Sequence, residues 1–210
     1  MHHDFHFQQL KTQLKNCLPG NSSHLKMLPP GRLLMVPSGT DNYRESAVLI
    51  LLFPSLQGVE LCLIRRPSTM KNHAGQIAFP GGRREPFDTD LIRTALREAN
   101  EEIGIDMNKV EIAGVLSPVY VQISGFVITP VVGCLSERPA IRMDSSEVDE
   151  VIFITLDDVM SEVSRCNREM ETMTGLLEVP GYEIGGNFIW GATAMMLTEL
   201  VDIYYGTNQL

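Results

Sequence analysis

The sequence has no Cys-x-x-Cys pair; its four cysteines, Cys17, Cys62, Cys134 and Cys166, are scattered. That spacing excludes the common zinc-ribbon and dithiol motifs and, without a secretory leader, reads as reduced thiols in a cytoplasmic protein. The first residues, Met1-His2-His3-Asp4, lack the basic and apolar segments of a leader. No long apolar run occurs either. The longest, Ala47 to Phe53, is far too short to span a bilayer. Positive charge is in the minority, with 17 Lys and Arg against 26 Asp and Glu and a net charge of −9. This excludes wholesale binding to a nucleic-acid backbone. An anionic ligand would need a local basic patch or a metal ion. Repeats and low-complexity tracts are absent as well. The composition, 210 residues of which 44% are hydrophobic and 20% charged, suits one globular domain with a sizeable core, or one domain plus an extension.

Along the chain, Phe7, Leu10, Leu14 and Leu18 fall at helical spacing and predict a short amphipathic helix before Pro19-Gly20. His2, His3 and His6 read as a solvated N-terminus, not as metal ligands. Asn21 to Asp41 is rich in Pro, Gly and Ser but carries Leu25, Met27, Leu28, Leu33, Leu34 and Val36, so it reads as a lead-in that wraps the domain. Strands are predicted at Ser46–Phe53, Val59–Arg65 and Ile77–Phe79, the last running into Pro80-Gly81-Gly82. A helix follows from about Thr89 to Ile103, with Asp88 or Thr89 as N-cap and Gly104 as its stop. Further strands are expected near Val110–Val121, Gly125–Leu135 and Val151–Thr155. A helix from Leu156 to about Cys166 and extended segments at Leu176–Val179 and Glu183–Ile189 come next. An apolar helix from Trp190 to Tyr205 closes the chain and could pack internally or form a dimer interface. Many strands, few helices and no regular βαβ alternation argue for an α+β or mixed-sheet α/β sandwich.

The helix predicted at Thr89–Ile103 carries an anomaly. Glu98, Glu101 and Glu102 fall at relative positions 0, 3 and 4, which crowds like charges on one face beside the anion-disfavouring C-terminus. On a wheel, Leu91, Ile92, Ala95, Leu96, Ala99 and Ile103 fill one arc about 140° wide, and Glu98 and Glu102 lie within about 20° of its edge. Desolvation there would raise their pKa values unless a cation is present. An all-oxygen, paired-carboxylate donor set suits Mg²⁺ or Mn²⁺. Alone, E-x-x-E-E more often marks a solvated helix end. Its neighbourhood reverses that: Gly81-Gly82 permits close backbone approach, and Arg65, Arg66, Lys71, Arg83, Arg84, Arg93 and Arg97 supply a landing patch for phosphates. Arg97 reads as a structural partner of Asp88, Glu85 or Glu101.

Residues Gly82 to Ile105 resemble the Nudix box, G-x5-E-x7-R-E-U-x-E-E-x-G-U, where U is bulky and apolar. Arg97-Glu98-Ala99-Asn100-Glu101-Glu102-Ile103-Gly104-Ile105 matches its second half, with Ala99 small for a U position. The first half departs by one extra residue, with Asp88 where the family usually has Glu. The run from Leu63 to Gly82, including Gly75-Gln76-Ile77-Ala78-Phe79-Pro80-Gly81-Gly82, resembles the added motif of the coenzyme A pyrophosphatase branch. Met70-Lys71 replaces its Leu-Arg, and Pro67 stands in its R-S neighbourhood. Gly125–Gly133 and Ile189–Ala194 are similar to that branch too.

The resemblance implies a Nudix-type α/β/α sandwich with a mixed, partly antiparallel sheet over residues 41–210, with residues 1–40 as helix and lead-in packed upon it. It implies Mg²⁺- or Mn²⁺-dependent hydrolysis of a nucleoside diphosphate, with Glu98 and Glu102 as principal metal ligands and Glu101 as a third or water-bridged one. The general base stays open among Glu101, Glu102, Glu147 and Glu150. Arg65, Arg66, Lys71, Gly81 and Gly82 are the substrate-binding candidates, His73 is assigned to fixing its loop, and Arg97, Asp88 and Gly104 support the site. For coenzyme A the products would be 3′,5′-ADP and 4′-phosphopantetheine. ADP-ribose or a dinucleotide is the alternative substrate; a non-catalytic sensor is the third reading, disfavoured because all three glutamates are kept.

Overall fold

A computed structural model of the chain describes residues 2–36, 43–69, 74–172 and 175–206, with side chains from Phe7 onward except that of Thr172. The side chains of His2, His3 and His6 lie outside the described residues, as do Lys71 and His73. The order is α1 (His2–Gln13), α2 (Asn21–His24), β1 (Arg44–Ser55), β2 (Gly58–Arg65), β3 (Ile77–Ala78), β4 (Gly81–Arg83) and α3 (Leu91–Ile103). Then come β5 (Glu111–Val115), β6 (Val119–Val121), β7 (Phe126–Cys134), β8 (Glu150–Thr155), α4 (Leu156–Met160), β9 (Arg165–Thr172), β10 (Gly175–Ile184), β11 (Asn187–Trp190) and α5 (Gly191–Tyr205).

Strand β1 is the spine. Its run Ala47–Phe53 is apolar at every position because both faces are covered. Val48, Ile50 and Leu52 join one core with α1 and α5, while Ala47, Leu49 and Leu51 join another with Ala95, Ala99 and Ile103 of α3. The result is a sheet between helical layers. The sheet is mixed: β1 runs parallel to β7 from Arg44 to Leu52 and antiparallel to β2 at Leu52–Ser55. On the N-terminal side of Leu52, β1 and β2 part. Into the gap goes the segment from Ile77 to Arg83, with β3 pairing β2 at Ile64 and Arg65 and β4 pairing β1 at Ser46–Val48. That crossing sets Gly81-Gly82 beside the N-terminal half of β1.

Several expected boundaries move. The N-cap of α3 is Asp90, whose extended backbone lets its side chain accept the Arg93 amide at 2.7 Å. Asp88 is engaged elsewhere, and Thr89 is passed over. Gly104 ends α3 in the left-handed region at φ 71°. The helix after β8 stops at Met160 instead of Cys166, because the Ser164 hydroxyl donates to the carbonyls of Asp158 and Ser161 and Arg165–Thr172 pairs with β10. Gly185-Gly186, both at positive φ, turn β10 into β11.

The closing helix α5 packs internally, with Thr193 to Val201 buried, so its dimer-face alternative is set aside. Within it Glu199 is fully buried and accepts from the amides of Gly20 and Ser117 and pairs with His24 Nε2 at 2.8 Å. This network ties the lead-in to the domain, alongside Met27 and the α1 residues Phe7, Leu10 and Leu14 in the same core. No described helix is long and apolar enough to cross a membrane.

Candidate active site

The site grows from β4. Gly81 lies so close to β1 that a Cβ there would sit 2.4 Å from the Ala47 carbonyl oxygen and 2.5 Å from Val48 Cα. Its φ of +152° suits glycine as well. From that position the Gly81 amide donates to Glu102 Oε2 at 2.8 Å. Glu102 is only 2% exposed. Burial pushes its carboxyl up to about 8; the Gly81 amide and the Arg66 guanidinium pull the other way, and the charges of Glu98 and Glu147 add to the rise.

Glu98, one helical turn earlier, lies over Gly82. A Cβ on Gly82 would be 2.5 Å from Glu98 Oε2. Burial raises the Glu98 carboxyl as well, offset in part by Arg97 and reinforced by Glu101 and Glu147. Two half-compensated carboxylates therefore face β4 from α3.

Arg97 organises the rest. Its Nε and Nη2 donate to both oxygens of Asp88 at 3.0 Å, its Nη1 lies 2.8 Å from both Glu98 and Glu101, and Nη2 reaches the Arg83 carbonyl at 3.1 Å. Asp88 also accepts from the Thr94 hydroxyl and the Glu85 amide, each at 3.0 Å. The Arg97 hydrogen bonds hold the Asp88 carboxyl down at about 2. This clamp fixes the loop between β4 and α3 to the helix that carries the glutamates.

The remaining candidates separate. Glu101 is half exposed and bound to Arg97. Glu147 sits on the loop between β7 and β8, near enough to affect both Glu98 and Glu102. Glu150, half exposed, pairs with Arg65 Nε at 2.9 Å. Arg65 also donates to Asn187 at 2.5 Å, so two of its nitrogens have protein partners. Arg84 is paired with Glu45. Arg66 differs. Its backbone is bonded to Gln76 and Gly75, its charge is felt by Glu102, and its buried Nε has no hydrogen-bond partner. Burying such a donor costs about 1–3 kcal/mol unless something accepts from it.

Among the described residues no three His, Cys, Asp or Glu side chains converge into a ready-made metal cage. The chemistry of Glu98 and Glu102 nonetheless fits a hard divalent cation, since both are oxygen donors in a place where negative charge is under-compensated. Grooves of about 350 Å³, beside Lys26 and Arg165, and about 540 Å³, beside Met35 and Tyr120, include none of these carboxylates.

Residues 43–173 match the family model described as the NUDIX domain. The chain belongs to the Nudix family. It is 34% identical over 182 residues to a Photorhabdus laumondii protein named Uncharacterized Nudix hydrolase NudL, covering 87% of this chain and 94% of that one. A Pectobacterium atrosepticum protein of the same name is 35% identical over 159 residues, covering 75% and 81%. With these hydrolases as relatives, the chain is a Nudix hydrolase. The MutT protein of Methanosarcina mazei Go1 matches its fold with a TM-score of 0.51 at 20% identity, over 79% of this chain and 96% of that one. A MutT/nudix family protein from Enterococcus faecalis gives 0.54 at 15% identity, over 79% and 63%.

Two parts of this Nudix site are not foreshadowed by the sequence patterns. The Gly81 amide as a donor to Glu102 is one, although the paired glycines hint at it. The seating of the Glu147 loop is the other, and no spacing signals it. Gly82 yields a direct test. Gly82→Ala should leave the fold intact, because the colliding atoms end a flexible side chain, yet it should displace Glu98. Hydrolysis is expected to fall about 100-fold with melting temperature little changed; steady-state rates beside thermal melts check it.

Proposed function

We propose that this Nudix hydrolase cleaves the diphosphate of coenzyme A or its derivatives with Mg²⁺ or Mn²⁺, giving 3′,5′-ADP and 4′-phosphopantetheine or its acyl form. The observation that carries the diphosphate reading is the facing arrangement of Glu98 and Glu102 against Gly81-Gly82, with the unpartnered Arg66 Nε beside them. The coenzyme A reading rests on the likeness of Leu63 to Gly82 to that branch's motif.

Glu98 and Glu102 would hold the cation, with Glu101 reaching it directly or through water once released from Arg97. When bound there, such a cation would supply charge neutralisation at the diphosphate and polarisation of phosphorus. Arg66 donates to a phosphate oxygen through its free Nε. Lys71, outside the described residues, is the second cationic candidate. Gly81 and Gly82, lacking side chains, let the phosphates approach β4. Glu147, solvent-exposed beside the buried pair, accepts the proton of the attacking water while the new P–O bond forms and the bridging P–O bond breaks. The leaving phosphate carries away the electron pair. Glu101 and Glu102 are less suited as the base: one is bound to Arg97, the other is committed to the Gly81 amide.

Incubation with coenzyme A in ¹⁸O water, followed by mass spectrometry, tests this. Both named products should form, with one ¹⁸O on one of them. Rapid turnover of ADP-ribose or a dinucleotide with coenzyme A untouched would assign the site to another nucleoside diphosphate.

A further inference from the structure

The carbonyl end of α3 carries more than a glycine stop. The Arg142 amide donates to the Ile103 carbonyl and the Asp144 amide to the Glu102 carbonyl, each at 2.9 Å. These bonds satisfy groups that a helix end leaves open. The seat needs Gly104, since a Cβ there would lie 2.8 Å from both Cβ and the carbonyl oxygen of Arg142. The strand-to-strand loop is thus docked on the backbone of a candidate metal ligand.

Asp144 also shapes the remainder of that loop. Its Oδ1 accepts the Ser146 amide at 2.8 Å and the Ser146 hydroxyl at 2.7 Å. Its carbonyl accepts the amides of Glu147 at 3.1 Å and Val148 at 2.9 Å. Val148 is fully buried against the α3 side of the sheet, and the Ser68 amide donates to Asp149. Between the Asp144 hub and the Val148 anchor, Glu147 is the one carboxylate, and its charge is felt by both Glu98 and Glu102. Solvent-exposed carboxylates on loops ordinarily sample many positions; here the backbone on each side is fixed.

We propose that the Asp144 side chain is a positioning group for this hydrolase: by holding the Ser146 amide and hydroxyl, it shapes the loop whose backbone is docked on α3 and thereby aims Glu147 at the Glu98–Glu102 pair. The inference rests on Glu147 as the base named above. It adds a residue that touches neither substrate nor metal.

A double-mutant cycle tests it. Glu147→Gln should lower kcat about 100-fold or more, the usual worth of a placed general base. Asp144→Ala should lower kcat about 10- to 100-fold with KM little changed, as a displaced catalytic group does. The double variant should be no slower than Glu147→Gln alone, because an unaimed base and an absent base are equivalent. Asp144→Asn, whose side-chain oxygen can still accept from Ser146, should remain within about 3-fold of the parent. Hydrogen exchange at the Ser146, Glu147 and Val148 amides should quicken in Asp144→Ala and stay slow in Asp144→Asn. That reading does not depend on activity and also reveals a variant that fails to fold.

Multiplicative losses in the double variant would overturn the proposal, as would full activity in Asp144→Ala while Glu147→Gln is impaired. In both cases Glu147 would stand as the base. A fully active Glu147→Gln would remove the base assignment itself, and Asp144 would lose its function with it.

Discussion

Glu102→Gln is expected to lower metal-dependent hydrolysis at least about 1,000-fold while making the metal-free protein more stable at alkaline pH. The first effect follows from losing a charged ligand at the buried end of the pair. Glutamine can still accept from the Gly81 amide, so the geometry of β4 is kept. The second follows from the sign of the shift. Burial raises the Glu102 carboxyl from 4.5 to about 8. The folded state therefore holds that proton more tightly than the unfolded chain does. Its stabilising contribution is complete below about pH 4.5 and is lost as pH rises through about 8. Glutamine carries no such charge, so the variant should gain on the parent between these limits. The gain at pH 8.5 should be about 2 kcal/mol, allowing for relaxation around the carboxylate. Denaturant titration of both proteins at pH 5.5 and 8.5, in chelator, measures it. A site that gains stability when its key residue is neutralised is one shaped for function.

Asp88→Ala should have the largest structural effect in the site. Asp88 is buried, and its two oxygens take Arg97, Thr94 and the Glu85 amide. Removing it leaves Arg97 partly unpaired at 13% side-chain exposure, with Glu98, Glu101 and the Arg83 carbonyl to answer. Breaking such a pair costs about 3–5 kcal/mol. Arg97 would then close more firmly on Glu98, so weakened metal binding should accompany the lost stability. Asp88 also adds an acid limit. Its carboxyl is held near 2 by Arg97, so its contribution is present above about pH 3.8 and fades as pH falls through 2. The parent should lose stability across that window, and Asp88→Ala should lose less there.

Some of this was legible in the residues alone. Ala47–Phe53 announced a strand covered on both faces, and the wheel of α3 put Glu98 and Glu102 at the margin of its apolar arc. Burial goes further than the wheel, for Glu102 lies inside that margin under the Gly81 amide. Gly104 marked the helix end for a conformational reason that sequence carries well. The arginines did not sort themselves. A group of cations reads as a patch, but Arg65, Arg84 and Arg97 are each taken by a carboxylate distant in sequence or one turn away. Arg66 stands out only once burial is known. Strand β9 stayed hidden because Arg165–Thr172 is mostly polar, with no apolar alternation, and its pairing with β10 lies beyond the local pattern. Asp144 was silent for a related reason: the loop it shapes is docked on carbonyls at the end of a helix far earlier in the chain.

The central claim is that Glu98 and Glu102 together hold a divalent cation. Titrating Mn²⁺ into the parent protein at pH 8 and following free Mn²⁺ by electron paramagnetic resonance tests it most directly. The parent should deplete the free-ion signal with at least one equivalent bound, and Glu98→Gln and Glu102→Gln, both folded, should each weaken that binding more than about 10-fold. Unchanged Mn²⁺ affinity in both variants would contradict the account.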